Sequence, residues 1–342
     1  MFPALFFCFL PPDMQAKSLP FISPWTGPIV VALCAALGPW LVTDAPWTWG
    51  VCAVLFVAVG LPHGAVDHIT YHHALGQSAK TAPWRFVGPY LLGLGAFAGW
   101  LLWMPLPATW AFLALSSWHF GQSHLTETSH TWLGRARGWA MGAVLIGTLL
   151  HAQRASSAEV MLFWMSGMEA TQILDLVAGM LPWALGLWTS TWVWAWVRGM
   201  SDRSQRDKVA LPLQAAGWMR EGAWLAAMWL LATNSGLLWA FTAYFCLGHA
   251  VDSWRVEFTR HQDMTSEFAT YYKWSLPFTA AFLAGLLAIL GSVGMGWLSD
   301  SWAWAALIAG SVPHMVLLAH WAPAKLSRQP RPCARDGTFT GI

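Results

Sequence analysis

Ten apolar segments joined by short polar connections fill most of this chain and restrict it to one kind of architecture. They fall at roughly 27–43, 47–67, 86–104, 107–125, 137–151, 173–198, 217–233, 236–256, 274–291 and 303–321. An apolar run of about 20 residues crosses the hydrocarbon core of a bilayer. There the backbone satisfies its own N–H and C=O groups only within a helix or a closed barrel. The predicted fold is therefore an all-α, polytopic transmembrane helical bundle of about 8–10 spans. Several segments are short for a span, and 155–172 reads as an interfacial or re-entrant piece. Composition agrees: the chain is 56% hydrophobic and 10% charged, with a mean hydropathy of +0.47, against roughly 25% charged residues in soluble domains.

The same composition excludes several function classes. A net charge of +2 without a basic stripe argues against nucleic acid as a partner. The five cysteines (Cys8, Cys34, Cys52, Cys246, Cys333) are scattered, with no C-x-x-C pair, so neither a disulfide framework nor a thiolate metal site is expected. The 27 tryptophans exceed what belts at the two bilayer surfaces need; they are expected to line an apolar cavity or to face lipid. The first twenty residues are apolar but lack a basic leading region and are cut by Pro11-Pro12, a poor signal peptide; Met14 is an alternative start. No large soluble insert or internal repeat interrupts the pattern. One transmembrane domain, 27–321, is expected between an N-terminal segment, 1–26, and a C-terminal tail, 322–342.

Charge placement sets the orientation. With a cytoplasmic N-terminus and ten spans, 17 of the 18 basic residues fall on the inner side or at inner helix ends, and Arg154 alone falls outside. Such an asymmetry is what the positive-inside rule requires. Both termini are expected in the cytoplasm, in a multi-pass protein of the cell (inner) membrane surrounded by lipid.

This topology gives four histidines a common depth. His63, His119, His249 and His314 lie on the second, fourth, eighth and tenth segments, each roughly 6–12 Å from the inner end at 1.5 Å per residue. Ionisable side chains at membrane depth mark functional sites, because their burial must be compensated. A transition metal compensates several neutral imidazoles at once. Pro62 and Pro313 precede two of these histidines, and each frees a backbone carbonyl that must be re-satisfied nearby. Asp67 lies four residues after His63, on the same helical face, and could orient the His63 imidazole or bind metal itself. Gln122 and Ser123 follow His119, and Asp252 and Ser253 follow His249, at the same spacings. Tyr244 stands one turn before Gly248 and could donate a hydrogen bond into the region. Gly64, Gly121 and Gly248 suit close helix packing. The bland alternative for any one of these histidines is a structural imidazole satisfied by a neighbouring helix.

Taken together, Gly60-Leu61-Pro62-His63-Gly64-Ala65-Val66-Asp67, His119-Phe120-Gly121-Gln122-Ser123, Tyr244-Phe245-Cys246 leading to His249, and Val312-Pro313-His314-Met315 resemble the Brp/Blh family of membrane β-carotene 15,15′-dioxygenases. The resemblance extends from the second segment to the last. It implies an iron-dependent oxygenase that cleaves the central double bond of β-carotene, or a related carotenoid, with O2 to give retinal. It also implies Fe(2+) held by His63, His119 and His249. Two positions depart from the family pattern. A further histidine four residues after the third-motif histidine is replaced by Ser253, and an aspartate ending the second motif is replaced by His124. His314, Asp67 or His124 could complete the ligand set. Asp67 and Tyr244 are the candidate catalytic side chains. Trp118, Phe120, Phe245 and Trp254 are candidates for the wall beside the polyene.

Other functions fit less well. A transporter or channel with an intramembrane His/Asp ion relay is the main alternative, but only Asp67 and Asp252 come near the histidines. His68, His72 and His73 form one histidine box of the desaturase kind, without its companion boxes. No lysine lies mid-span to carry a retinal Schiff base. Oligomeric state is left open.

Overall fold

The computed structural model describes residues 23–40, 45–75, 84–125, 131–201, 210–262 and 264–326. Most of the N-terminal segment and of the C-terminal tail expected from the sequence lies outside them. The described residues are almost entirely helical and include no strand. Over its described residues, each of the ten apolar segments is helical. In chain order these are α1 (Thr26–Leu37), α2 (Pro46–Leu55, a π-helical stretch Phe56–Gly60, then Leu61–Gly64), α3 (Asp67–Ala74), α4 (Trp84–Trp103), α5 (Pro105–His124), α6 (Trp132–Ala152), α7 (Arg154–Met161), α8 (Gly167–Ser201), α9 (Ala210–Asn234), α10 (Leu237–Thr242, a π-helical stretch Ala243–His249, then Ala250–Arg260), α11 (Phe268–Gly294) and α12 (Asp300–Leu326). The two short additions are α3, a continuation of α2 after a break at Ala65-Val66, and α7, within the piece read as interfacial.

Five stretches are long and apolar enough to cross a membrane: Pro46–His73, Trp84–Trp103, Gly167–Val197, Phe268–Gly294 and Asp300–Ala319. The α5, α6, α9 and α10 helices are equally long but carry His119, Arg137, Arg220, Glu221 and Asp252, which lower their hydropathy. Their polar groups are directed inward. Arg137 and Glu221 form an ion pair at 3.4 Å with both side chains nearly buried, and the Trp188 indole N–H donates to the same carboxylate at 3.2 Å. Large apolar side chains stand on the outside instead, among them Trp84, Trp103, Trp183 and Trp297. Such a surface is unsuited to water and suited to lipid.

Packing is tightest where glycines meet. A β-carbon on Gly121 would sit 1.7 Å from the Gly138 carbonyl oxygen, and one on Gly142 would sit 1.7 Å from the Ser117 carbonyl oxygen. The α5 and α6 backbones are therefore in direct contact, as small residues permit inside a membrane bundle. Around this pair, α1, α6, α9 and α10 share one core of Val31, Met141, Leu145, Trp224 and Met228. The α4, α5 and α12 helices share another, around Leu101, Ala108 and Met315. Four helices, α2, α5, α10 and α12, border the space between these cores.

Candidate metal centre

Each of those four helices delivers one buried histidine to the same point. The rings of His63 and His249 are 5.4 Å apart between centroids, those of His63 and His314 5.0 Å, His119 and His249 4.9 Å, and His119 and His314 5.0 Å. All four meet edge to face. Donor nitrogens of His63, His119 and His314 lie within 4.8 Å of one another. The Nε2 atoms of His119 and His249 are 3.0 Å apart.

Local sequence explains how the rings arrive. Pro62 has no N–H to give the Ala58 carbonyl four residues earlier, and the Tyr272 hydroxyl donates to that carbonyl at 2.8 Å. The π-helical stretch ahead of Pro62 shifts the register so that His63 points inward; such stretches recur at functional sites. A second π-helical stretch ends at His249. On α12, the Tyr90 hydroxyl donates at 3.1 Å to the Gly310 carbonyl, one turn before His314.

Three rings have their Nδ1 tied outward. His63 Nδ1–H donates to the Gly60 carbonyl. His314 Nδ1–H donates to Asp67 Oδ1 at 2.7 Å. The Ser123 hydroxyl donates to the Phe120 carbonyl at 2.8 Å, leaving its oxygen to accept from His249 Nδ1–H at 3.2 Å. A proton on Nδ1 leaves the lone pair on Nε2, the tautomer that metal-binding histidines take when an outer partner holds the other nitrogen. His63 Nε2 and His314 Nε2 are buried without a hydrogen-bond partner among the described residues, and buried polar atoms in that condition call for an explanation. A divalent metal supplies one. Two nitrogens bound side by side at about 2.1 Å stand about 3 Å apart, as the His119 and His249 nitrogens do. The donor set, imidazole with a carboxylate behind it and no thiolate, fits a first-row transition metal.

The sequence-derived candidates divide accordingly. His63, His119, His249 and His314 come together. Asp67 joins them through His314, although its spacing pointed to His63; the break at Ala65-Val66 turns α3 away from the axis of α2. Tyr244 is buried and its hydroxyl pairs with His124 Nε2 at 2.9 Å. That places His124 behind the His249 ring, 6.2 Å between centroids. Phe120 packs edge-on against His249 at 4.7 Å. Phe245 stacks on His249 at 5.9 Å and meets His63 edge-on at 5.2 Å. Trp118, about 100° around the helix from His119, packs on Trp139 of α6 instead. Trp254 packs on Phe268 and Tyr271.

Two contributors were not singled out from the sequence. Phe56 and Phe241 extend the Phe245 stack, with centroids 5.3 Å and 5.6 Å from it. Phe241 is exposed, Phe245 and Phe56 are half-buried and the histidines are buried, so a graded aromatic row leads from the outer surface to the rings. Phe241 and Phe245 stand four residues apart, the one signal that could have paired them.

Comparison with known proteins gives a consistent picture. A sequence model described as beta-carotene 15,15′-dioxygenase matches residues 54–322. A probable beta-carotene 15,15′-dioxygenase, Blh, of Halobacterium salinarum is 34% identical over 104 residues, which are 30% of this chain and 29% of that protein. The match thus spans under a third of the relative's length. No solved structure matches.

Proposed function

Since the chain belongs to the beta-carotene 15,15′-dioxygenase family, we propose that it cleaves the central double bond of β-carotene, or a related carotenoid, in the membrane with O2 to give retinal. The observation that carries this reading is the convergence of four buried imidazoles from four helices, with their free nitrogens turned inward at the end of an aromatic row.

His63, His119, His249 and His314 hold iron(II). When bound, the iron supplies the binding and activation of dioxygen that a closed-shell polyene needs. Asp67 keeps the His314 ring in place and adds negative charge behind it, which strengthens the ring as a ligand. Ser123 and the Gly60 carbonyl do the same for His249 and His63. Phe120 and Phe245 provide an apolar surface on which a conjugated chain lies flat, and they exclude water that would compete at the centre. One oxygen atom goes to each carbon of the broken double bond, so a symmetrical C40 carotene and one O2 yield two aldehydes. A carotenoid dissolved in lipid reaches the site sideways, along Phe241, Phe56 and Phe245, without entering water. Tyr244 and His124 brace the His249 side of the pocket. The chain lies in the cell membrane with both termini in the cytoplasm, which the distribution of lysine and arginine supports.

Expression in a bacterium engineered to accumulate β-carotene tests this. Loss of orange colour, with retinal in the extract, is expected. Unchanged carotenoid beside well-expressed, iron-loaded protein would overturn the reading.

A further inference from the structure

The four rings of the candidate centre differ in what their nitrogens do. His63 Nε2, His314 Nε2 and His119 Nδ1 are buried with no hydrogen-bond partner among the described residues. The same three residues bring donor nitrogens within 4.8 Å of one another, and that group does not extend to His249. His249 has both nitrogens engaged instead. Its Nδ1 faces the Ser123 hydroxyl at 3.2 Å, and its Nε2 faces His119 Nε2 at 3.0 Å.

These contacts place the protons. Ser123 gives its own hydrogen to the Phe120 carbonyl, so the proton between Ser123 and His249 belongs to His249 Nδ1. The His249 lone pair then sits on Nε2, where it accepts from His119 Nε2–H. That leaves the His119 lone pair on Nδ1, the atom without a partner. One consistent set of tautomers thus frees a lone pair on each of His63, His119 and His314, and uses the fourth to hold the His119 ring. A partner on the other nitrogen is what a metal-bound histidine ordinarily has.

The 3.0 Å separation fits a second arrangement as well. It is an ordinary hydrogen-bond length and also about the spacing of two nitrogens on one metal. His249 can therefore change roles by a small reorientation of its ring, with its tautomer and its Ser123 contact kept. It closes the π-helical stretch Ala243–His249, a departure from regular helix that recurs at functional sites. Catalytic metal sites keep a position open, commonly with three protein ligands. We propose that His63, His119 and His314 are the resident metal ligands and that His249 is an exchangeable one, which leaves the metal for His119 Nε2–H when a small ligand such as O2 enters. The proposal rests on the reading of the four histidines as a metal site and sorts them into two kinds.

Cobalt(II) and azide, added to the full chain purified in lipid nanodiscs and stripped with a chelator, test it. Wild-type protein is expected to take one equivalent of cobalt; if it takes none, the metal reading falls and this proposal with it. His249→Gln, whose amide oxygen can accept from His119 Nε2–H, is expected to keep one equivalent, with affinity lowered by about 10–100-fold at most. The same change at His63 or His314 removes a resident ligand, and neither variant is expected to hold cobalt through a desalting column. Azide takes one position on the metal. If His249 leaves for it, the visible spectra of wild-type and His249→Gln proteins, different before azide, become the same after it. A measurement on the unaltered protein guards against misfolding of the variant: the cobalt-shifted imidazole N–H signals in the proton NMR spectrum should fall from four to three when azide is added. Four signals that persist would overturn the proposal. So would azide-treated spectra that stay different, or a folded His249→Gln protein that loses cobalt as completely as His314→Gln.

Discussion

At the scale of single residues, the chemistry is set by which nitrogen of each imidazole carries the proton. Gly60, Asp67 and Ser123 decide that for His63, His314 and His249. Asp67 and Ser123 were not legible as partners of their particular rings, because each of those pairings joins different helices; the Gly60 carbonyl is local, three residues before His63. The histidines themselves were legible, since imidazoles in apolar segments are rare without a use. His63→Ala and His119→Ala are each expected to abolish iron binding and turnover. Metal analysis showing full iron in both would remove these residues from the centre. Asp67→Asn keeps the hydrogen bond in form but not the charge, so a loss of about 10–100-fold in metal affinity is expected. Unchanged affinity in a competitive chelator titration would show that Asp67 has no part in tuning His314.

At the scale of elements, two departures from regular helix and one very close contact place the rings. The π-helical stretches Phe56–Gly60 and Ala243–His249 re-aim His63 and His249. Apolar periodicity gave no hint of either, because a one-residue register shift leaves the composition of a buried helix unchanged. The prolines beside His63 and His314 were visible, but the hydroxyl that rescues the Ala58 carbonyl, Tyr272, comes from α11 and only tertiary contact reveals it. Gly121 read as a packing glycine, and it lies against the α6 backbone. Gly121→Ala must therefore part α5 from α6, at a cost above the roughly 1–3 kcal/mol of ordinary overpacking. Gly93→Ala, whose β-carbon would stand 3.6 Å from Pro313, is expected to be tolerated. Melting curves of the two variants in the same detergent check this; equal midpoints would contradict the contact. Glu221→Ala leaves the Arg137 guanidinium buried and unpaired, and a loss of about 3–5 kcal/mol is expected. A wild-type melting midpoint would show that the charge finds another partner.

At the scale of the whole molecule, the bundle gathers a set of scattered histidines into one site, and the one-dimensional charge pattern proposes an orientation for it. Reporter fusions in the connections after α2–α3, α5 and α11 check the orientation. The first two are expected on the cytoplasmic side and the third outside; a reversal of all three would invert the bundle. Helical architecture and the four histidines followed from the sequence alone, because hydrophobic length and the cost of burying polar groups in lipid act on each segment separately. Asp67 with His314, Ser123 with His249 and the phenylalanine row were decided only by the tertiary structure. Each depends on the angle and register at which two distant helices meet, and those are fixed by packing at many contacts that no single segment contains.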